Sequence, residues 1–331
     1  MLNAPPFERI LVTGGAGFIG QHLLRALLAL GHQPLSLTRS LGRVEDLAHD
    51  LRDEARWVEL DLLNHKAVGA LLGAERPTII FHLAGTRGMR DDDSALADCL
   101  ELNVDATRNL LENARDSGVA RTIITGSADE YGRQSGQISE THPLQPTSSY
   151  GISKAEATRV AQALYENEKC PVVILRPFTV YGPLQPQGMF VGEAIECAVS
   201  DSPFRMSSGL QKRDLVYVDD VVRALFLAAR APLLDGKIIN IGTGRAEQLL
   251  DVARLIWKLS ETSAPLLVGE RPATTHETHD TWADNSLARQ LLNWEPQVAL
   301  EDGLRTTIEW MRRVQHTKSV STVHEHKGQV A

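Results

Sequence analysis

The segment from residue 10 to residue 31 constrains the fold more than any other part of the sequence. A short apolar run breaks into a glycine-rich turn, and leucines then recur at helical spacing. Within the turn, Gly14, Gly17 and Gly20 have the spacing G-x-x-G-x-x-G. Without side chains, these positions let the backbone approach a pyrophosphate at the positive N-terminus of a helix, and let helix and strand pack closely. The segment therefore predicts a strand, a turn and a helix that bind a dinucleotide.

The following part of the chain repeats this alternation of strand and helix. Apolar, strand-like runs occur at residues 34–38, 57–60, 78–83, 122–125 and 172–177, with helical patterns between most of them. Such alternation specifies parallel β-α-β units, and hence a doubly wound parallel sheet with helices on both faces. The predicted fold class is α/β with a Rossmann-type sheet.

In the second half of the chain, loop-like segments and short helices interrupt the alternation of strand and helix. We therefore predict two domains built from discontinuous pieces. A dinucleotide-binding Rossmann domain takes residues 1–182 and 213–244, and a smaller, mainly C-terminal substrate-binding lobe takes residues 183–212 and 245–316. Residues 317–331 contain few apolar side chains, and we predict that this tail is disordered.

Composition argues against several classes of function. The net charge of −8 and the pI of about 5.8 argue against a nucleic acid or an anionic membrane as partner. The three cysteines include no C-x-x-C pair, and no stretch approaches the ~18 consecutive apolar residues of a membrane span. With no signal-type segment near Met1, these features predict a cytoplasmic protein. His276 and His279 lack an evident third partner, so we predict no metal site.

The end of the predicted second strand bears on the choice of cofactor. An NAD-binding unit usually carries an acidic residue there for the ribose hydroxyls. This sequence has Thr38-Arg39-Ser40 instead, which suits a 2′-phosphate. We therefore predict NADP, with NAD left as the alternative if Arg39 points to solvent. After the next strand, Asp61 is placed to accept a hydrogen bond from the adenine amino group.

A tyrosine and a lysine stand four residues apart in Tyr150-Gly151-Ile152-Ser153-Lys154, and they project from one face of a predicted helix. A phenol with a pKa near ~10 is a poor proton-transfer group at neutral pH. A fixed ammonium one turn away favours the phenolate and lowers that pKa. We predict that Tyr150 is the acid/base of a reaction and that Lys154 tunes it.

Together these residues resemble the extended short-chain dehydrogenase/reductase family, which includes nucleotide-sugar epimerases, dehydratases and 4-ketoreductases. The resemblance runs from residue 10 to about residue 310. It rests on Thr13-Gly14-x-x-Gly17-x-x-Gly20, Asp61-Leu62, His82-Leu83-Ala84-Gly85, Asn103-Val104-x-x-Thr107, Ser127, Tyr150-x-x-x-Lys154, Arg176-Pro177 and Arg213-Asp214-x-x-Tyr217-Val218-x-Asp220. Each motif is weak alone, but so many in the same order are specific jointly.

The resemblance implies roles for three of these residues. The tyrosine, Tyr150, transfers a proton to or from the sugar oxygen, and Lys154 also binds the nicotinamide ribose. A hydroxyl residue, Ser127, bonds the same sugar oxygen and steadies charge as hydride moves. With the residue patterns above, the expected cofactor site is Gly14, Gly17, Phe18, Ile19, Gly20, Arg39, Ser40, Asp61, Leu62, Leu83, Ala84, Gly85, Asn103, Tyr150, Lys154 and Pro177.

The resemblance also implies a nucleotide-diphosphate sugar as substrate and a homodimer. Arg213 and Arg271 match arginines that bind the diphosphate in the family, consistent with charge-assisted phosphate recognition. Arg87 and Arg90 lie in a polar loop after a predicted strand, and either could face the substrate. The expected substrate-binding residues are Arg87, Ser127, Ala128, Asp129, Thr179, Arg213 and Arg271.

Two departures from the family pattern bear on the reaction. Dehydratases of this kind keep an acidic pair directly after the hydroxyl residue, whereas Ala128 follows Ser127 here. Only Asp129 could then serve, so 4,6-dehydration is disfavoured. Thr179 stands where many epimerases carry an asparagine for the substrate phosphate, which puts the substrate pose in doubt.

We therefore expect an enzyme that acts at C4 of a nucleotide-diphosphate sugar. Reduction of a 4-keto-6-deoxy sugar nucleotide is favoured over 4-epimerisation, because a reductase exchanges its cofactor and Arg39 suits NADPH. A non-catalytic dinucleotide-binding regulator is the rival class. The presence of Ser127, Tyr150 and Lys154 together argues against a regulator, because it needs none of them.

Overall fold

The computed structural model describes residues 9–45, 47–87, 93–272 and 280–327. The strands are β1 (Ile10–Thr13), β2 (Leu35–Thr38), β3 (Arg56–Glu59), β4 (Ile79–His82), β5 (Arg121–Thr125), β6 (Gly136–Ile138), β7 (Val172–Pro177), β8 (Thr179–Tyr181), β9 (Phe204–Met206), β10 (Lys212–Arg213), β11 (Leu215–Tyr217), β12 (Ile238–Ile241), β13 (Glu247–Gln248), β14 (Leu266–Val268) and β15 (Thr281–Ala283).

The helices are α1 (Phe18–Ala29), α2 (Gly42–Glu45), α3 (His49–Glu54), α4 (His65–Glu75), α5 (Asp93–Leu100), α6 (Ala106–Asp116), α7 (Ser149–Glu168), α8 (Phe190–Val199), α9 (Val218–Arg230), α10 (Leu249–Ser260), α11 (Ser286–Leu292) and α12 (Leu300–Lys327). A π-helical turn (Glu101–Asp105) joins α5 to α6, and a 3-10 turn (Ala128–Glu130) follows β5.

The central sheet has seven parallel strands in the order β12-β7-β5-β4-β1-β2-β3. Its side chains alternate between two cores. Ile10 and Val12 of β1 pack in one core with Leu23 of α1, whereas Leu11 packs in the other with Leu110 of α6. Helices therefore cover both faces, which confirms the predicted doubly wound α/β fold.

The strand order reverses between β1 and β4, which are neighbours in the sheet. The loops that leave these two strands diverge to opposite sides, so a crevice opens at the carboxyl end of the sheet. Ligands of doubly wound proteins bind in this position. The fold therefore places the loops after β1, β4, β5 and β7 around one candidate site.

Smaller sheets lie outside the central one. A four-stranded sheet has the order β13-β10-β15-β6, and β9 pairs with β14. Helices α8, α10 and α12 pack together and bury Ile195, Ile256 and Ile308. Strand β6 pairs with β15, although the sequence placed β6 in the first domain and β15 in the lobe. Pairing between strands so far apart in sequence leaves no local signal.

The predicted disordered tail is wrong for residues 317–327, which continue α12 to Lys327. Between Gly303 and Gly328 the sequence contains neither glycine nor proline, so nothing in the backbone chemistry ends the helix earlier. Residues 328–331 lie outside the described residues.

Candidate active site

Two adjoining cavities occupy the crevice at the carboxyl end of the sheet. The outer cavity, of about 180 Å³, lies at the ends of β2 and β3. The inner cavity, of about 320 Å³, lies at the ends of β5 and β7. Both are lined by Gly14, Gly17, Leu83 and Gly85, so the glycine turn forms the wall that they share.

The glycine turn is shaped by close backbone approach. Gly14 has φ +73°, and a Cβ there would stand 2.6 Å from the backbone nitrogen of Ala84. A Cβ on Gly20 would stand 2.1 Å from the carbonyl oxygen of Gly14. Phe18, Ile19 and Gly20, at the start of α1, line the inner cavity. The turn therefore leaves bare backbone at a helix N-terminus, which fits the pyrophosphate of a dinucleotide.

The outer cavity is lined by Thr38, Arg39, Asp61 and Leu62, as expected of a dinucleotide's adenosine half. A second cation, Arg43 of α2, also lines it and was missed. The spacing of four residues from Arg39 to Arg43 was the available signal. Ser40, predicted to bind the cofactor, is not in the lining, and its backbone N–H donates to Thr38 Oγ1 at 3.3 Å.

Tyr150 lies in the first turn of α7 and lines the inner cavity. The turn is fixed by Ser148, whose Oγ accepts from the Gly151 N–H at 3.0 Å. Burial, and after it the Asp129 carboxylate, raise the pKa of Tyr150 to about 12. The Arg87 guanidinium, 4.9 Å from the ring centroid, acts in the opposite direction. The phenol is therefore protonated at neutral pH.

Ser127 is buried at the carboxyl end of β5 and lines the inner cavity with Tyr150, where its hydroxyl acts to lower the pKa of the phenol. It is also the N-cap of the 3-10 turn. Its Oγ accepts from the Asp129 N–H at 3.1 Å, while its own N–H donates to Glu130 at 2.8 Å. These bonds hold its hydroxyl towards the inner cavity beside Tyr150, as the sequence predicted.

Lys154 lines the inner cavity, and its ammonium bonds to the end of β5. Its Nζ donates to the carbonyl oxygen of Thr125 at 2.5 Å. Burial lowers the pKa of Lys154 to about 8, against the opposing effect of Glu130. Burial, Asp129 and Arg87 act most on the pKa of Tyr150, and the net shift is upward. Because its ammonium is directed to the end of β5, Lys154 is not among the main influences on the pKa of Tyr150 here, and its tuning role stays a prediction.

Asn103 does not line either cavity, although the sequence placed it in the cofactor site. It is buried in the π-helical turn. Its Nδ2 donates to the Thr86 carbonyl and to Ser153 Oγ, and its Oδ1 accepts from the Thr86 N–H, each at 2.8 Å. Asn103 therefore braces the loop after β4, which carries Arg87.

The remaining predicted residues divide between two places. Arg87, Ala128, Asp129, Pro177 and Thr179 line the inner cavity. Leu83 and Gly85 line both cavities, and Ala84 lines the outer one. Arg213 and Arg271 line a third cavity, of about 200 Å³, beside α8 and β9. Glu193 of α8 also lines it and pairs with Arg271 at 3.2 Å.

Glu130 is excluded from acid/base chemistry by its environment. It is fully buried, and its Oε2 accepts from Arg176 Nε at 2.8 Å. Arg176 also donates to the Tyr131 hydroxyl at 3.0 Å. Of the acidic pair after Ser127, only Asp129 reaches the cavity. The geometry agrees with the sequence argument against dehydration.

Two predictions concern residues with no described structure. Arg90, His276 and His279 lie outside the described residues. Among the residues that the structure describes, no group of three or more His, Cys, Asp or Glu side chains is arranged to hold a metal. In the same part of the chain, no helix combines the length and apolarity needed to cross a membrane.

A Rossmann-type sheet whose glycine turn lines one cavity together with a tyrosine and a serine defines a dinucleotide-dependent enzyme. The chain belongs to the NAD dependent epimerase/dehydratase family, whose model matches residues 10–242. It is 34% identical to the UDP-glucose 4-epimerase of Mycolicibacterium smegmatis, over 92% of this chain and 98% of that protein.

Two solved structures are similar over nearly their whole length. The UDP-glucuronic acid 4-epimerase from Bacillus cereus, in complex with UDP-glucuronic acid and NAD, has a TM-score of 0.84 at 30% identity, covering 92% of this chain and 99% of that one. The UDP-glucose 4-epimerase from Thermotoga maritima, with UDP-glucose, has a TM-score of 0.85 at 29% identity, covering 93% and 99%. These relatives support the epimerase alternative rather than the favoured 4-ketoreductase.

Replacing the buried Glu130 with alanine should destabilise the protein. Glu130→Ala leaves Arg176 buried without its carboxylate, which costs roughly 3–5 kcal/mol. Urea unfolding of mutant and wild type measures the difference in free energy of unfolding. The matched control is Glu156→Ala on α7, whose partner Arg159 is exposed, and whose loss should stay within about 0.5 kcal/mol. Equal effects of the two substitutions would contradict this account.

Proposed function

We propose that the protein is a 4-epimerase of nucleotide-diphosphate hexoses that works with a retained nicotinamide dinucleotide. The observation that carries the proposal is that Tyr150 and Ser127 line the inner cavity together, directly beside the glycine turn. These two residues are sufficient for proton transfer to and from one hydroxyl group of a sugar. Elimination needs a second acid/base pair, and Glu130 is committed to Arg176.

The two residues have separate roles in the reaction at C4. Tyr150 takes the proton from the C4 hydroxyl, and Ser127 donates a hydrogen bond to the same oxygen as it becomes a carbonyl. The dinucleotide, when bound, accepts and returns the hydride at C4. Tyr150 then gives its proton back to the C4 oxygen after the sugar has presented its other face. One tyrosine therefore serves both half-reactions.

The tyrosine must become a phenolate to take the first proton, although burial and Asp129 raise its pKa to about 12. The positive charge of a bound oxidised nicotinamide would favour the phenolate, and the Lys154 ammonium would do the same if it turned from Thr125 to the phenol. Either charge would lower the pKa of Tyr150. We infer that cofactor binding activates the base.

The cavities support the choice of substrate and reaction. At about 320 Å³, the inner cavity falls within the ~300–1,000 Å³ usual for small-molecule sites, which suits a sugar that must rotate. Arg213 and Arg271 give the third cavity the cations that a diphosphate needs. The named relatives include UDP-glucose and UDP-glucuronic acid 4-epimerases. Reduction of a free keto sugar has no such support.

The proposal predicts epimerisation without added cofactor. Purified protein incubated with UDP-glucose alone should form the C4 epimer, measured by anion-exchange chromatography or NMR. Tyr150→Phe should lower the rate by roughly 10²–10⁴-fold and retain dinucleotide binding, because only the proton carrier is lost. If no C4 epimer forms, while a 4-keto-6-deoxy sugar nucleotide consumes NADPH at 340 nm, the protein is a reductase.

For the cofactor, we propose that NADP binds more tightly than NAD, although the similar structure from Bacillus cereus holds NAD. The support for NADP comes from the residues at the end of β2 and in the lining of the outer cavity. Arg39 and Arg43 both line the outer cavity, and Thr38 ends β2 where an acidic residue would bind the ribose. Two guanidinium groups there suit a 2′-phosphate.

Substitution of Arg39 separates the two cofactors. Arg39→Ala should weaken NADP binding at least about tenfold and leave NAD binding within about twofold, because only NADP carries the 2′-phosphate. Fluorescence titration of protein freed of its retained cofactor measures both affinities. Arg254→Ala, on the exposed face of α10, is the control. An equal loss for both cofactors, or no loss, would contradict a contact between Arg39 and the 2′-phosphate.

A further inference from the structure

An ion pair of opposite charges stands beside the tyrosine in the inner cavity. Arg87 Nη2 lies 3.7 Å from Asp129 Oδ2, and both residues line the cavity with Tyr150. The pair is part-exposed, with 60% of the Arg87 side chain and 39% of the Asp129 side chain accessible. Both charges act on the pKa of Tyr150, in opposite directions. They are therefore close to the oxygen that Tyr150 would deprotonate.

Contacts of its backbone fix the position of Asp129. Its N–H donates to Ser127 Oγ at 3.1 Å. Its carbonyl oxygen lies against Gly151, where a Cβ would come within 2.5 Å. The 3-10 turn and the start of α7 thus hold Asp129 between them, so its carboxylate cannot be carried away by movement of the turn alone.

The substituents next to C4 of a hexose are the hydroxyl at C3 and the group at C5. Only the group at C5 is ever a carboxylate, in the uronic acids. If Tyr150 and Ser127 mark the C4 oxygen, a carboxylate at C5 enters the space that Asp129 and Arg87 flank. It would meet the like charge of Asp129, and Arg87 already has a counter-ion.

We propose that Asp129, with Arg87 as its counter-ion, selects hexoses with an uncharged C6 group and rejects uronic acids. The inference rests on the proposed action at C4. Like charges placed together in a cleft disfavour the wrong ligand strongly, so the preference for the neutral sugar should be at least about tenfold. With Asp129 neutral, Arg87 becomes available to bind a carboxylate.

The test compares UDP-glucose with UDP-glucuronic acid as ligand and as substrate. Wild type should bind and turn over UDP-glucose at least about tenfold better. Asp129→Asn has nearly the same shape but no charge. It should raise binding and turnover of UDP-glucuronic acid, relative to those of UDP-glucose, by at least about tenfold. Adding Arg87→Gln to that variant should remove the gain. Because both substrates use the same Tyr150, any effect of a substitution on that tyrosine cancels in the ratio of the two rates.

Asp251→Asn, which neutralises an exposed carboxylate paired with Arg254, is the matched control and should leave the ratio unchanged. The proposal is overturned if wild type accepts both ligands equally, or if Asp129→Asn changes the ratio less than about twofold. Calorimetric binding of both ligands keeps this test separate from the proposed reaction. Absence of C4 epimerisation would refute the reaction, while the binding ratio would still decide the role of Asp129.

Discussion

The buried ion pair between Glu130 and Arg176 is the interaction on which the site depends. Glu130 accepts from Arg176 on β7 and from the N–H of Ser127, so the turn after β5 is tied to the next strand. Arg176 also bonds the Tyr131 hydroxyl, which donates to Asn240 on β12. The network crosses three neighbouring strands. It fixes Ser127 where its hydroxyl meets Tyr150.

Burying two charges is costly, so this network is not simply a means of adding stability. Its effect is positional. Glu130 does not line the cavity, whereas Ser127, Tyr150 and the part-exposed Asp129 are among the polar groups that do. The same pair that fixes the serine thus keeps Glu130 out of the chemistry proposed at C4.

Local sequence signals predicted much of the fold and of the site. The spacing of Gly14, Gly17 and Gly20 required a close-packed turn, and Tyr150 was placed correctly because helical periodicity fixes which face a side chain occupies. The direction of the Lys154 ammonium was not predicted, because a long side chain responds to a carbonyl, that of Thr125, on a distant strand. Pairs such as Glu193 with Arg271 join residues 78 positions apart and leave no local pattern.

Some predictions remain open. The homodimer, the cytoplasmic location and the preference for NADP stay predictions. The proposed reaction depends on a different observation. The glycine turn, which forms the wall shared by the two cavities, lines the inner cavity together with Tyr150 and Ser127. In the proposed epimerisation, the hydride leaves and returns at the same carbon without exchange.

The most direct measurement uses UDP-glucose with deuterium at C4. Wild type, without added cofactor, should convert it to the C4 epimer with the deuterium fully retained at C4, as read by mass spectrometry and proton NMR. Retention means that one bound dinucleotide accepts and returns the same hydride while Tyr150 exchanges only the hydroxyl proton. Loss of the deuterium to water, or its transfer to dissolved cofactor, would contradict the account.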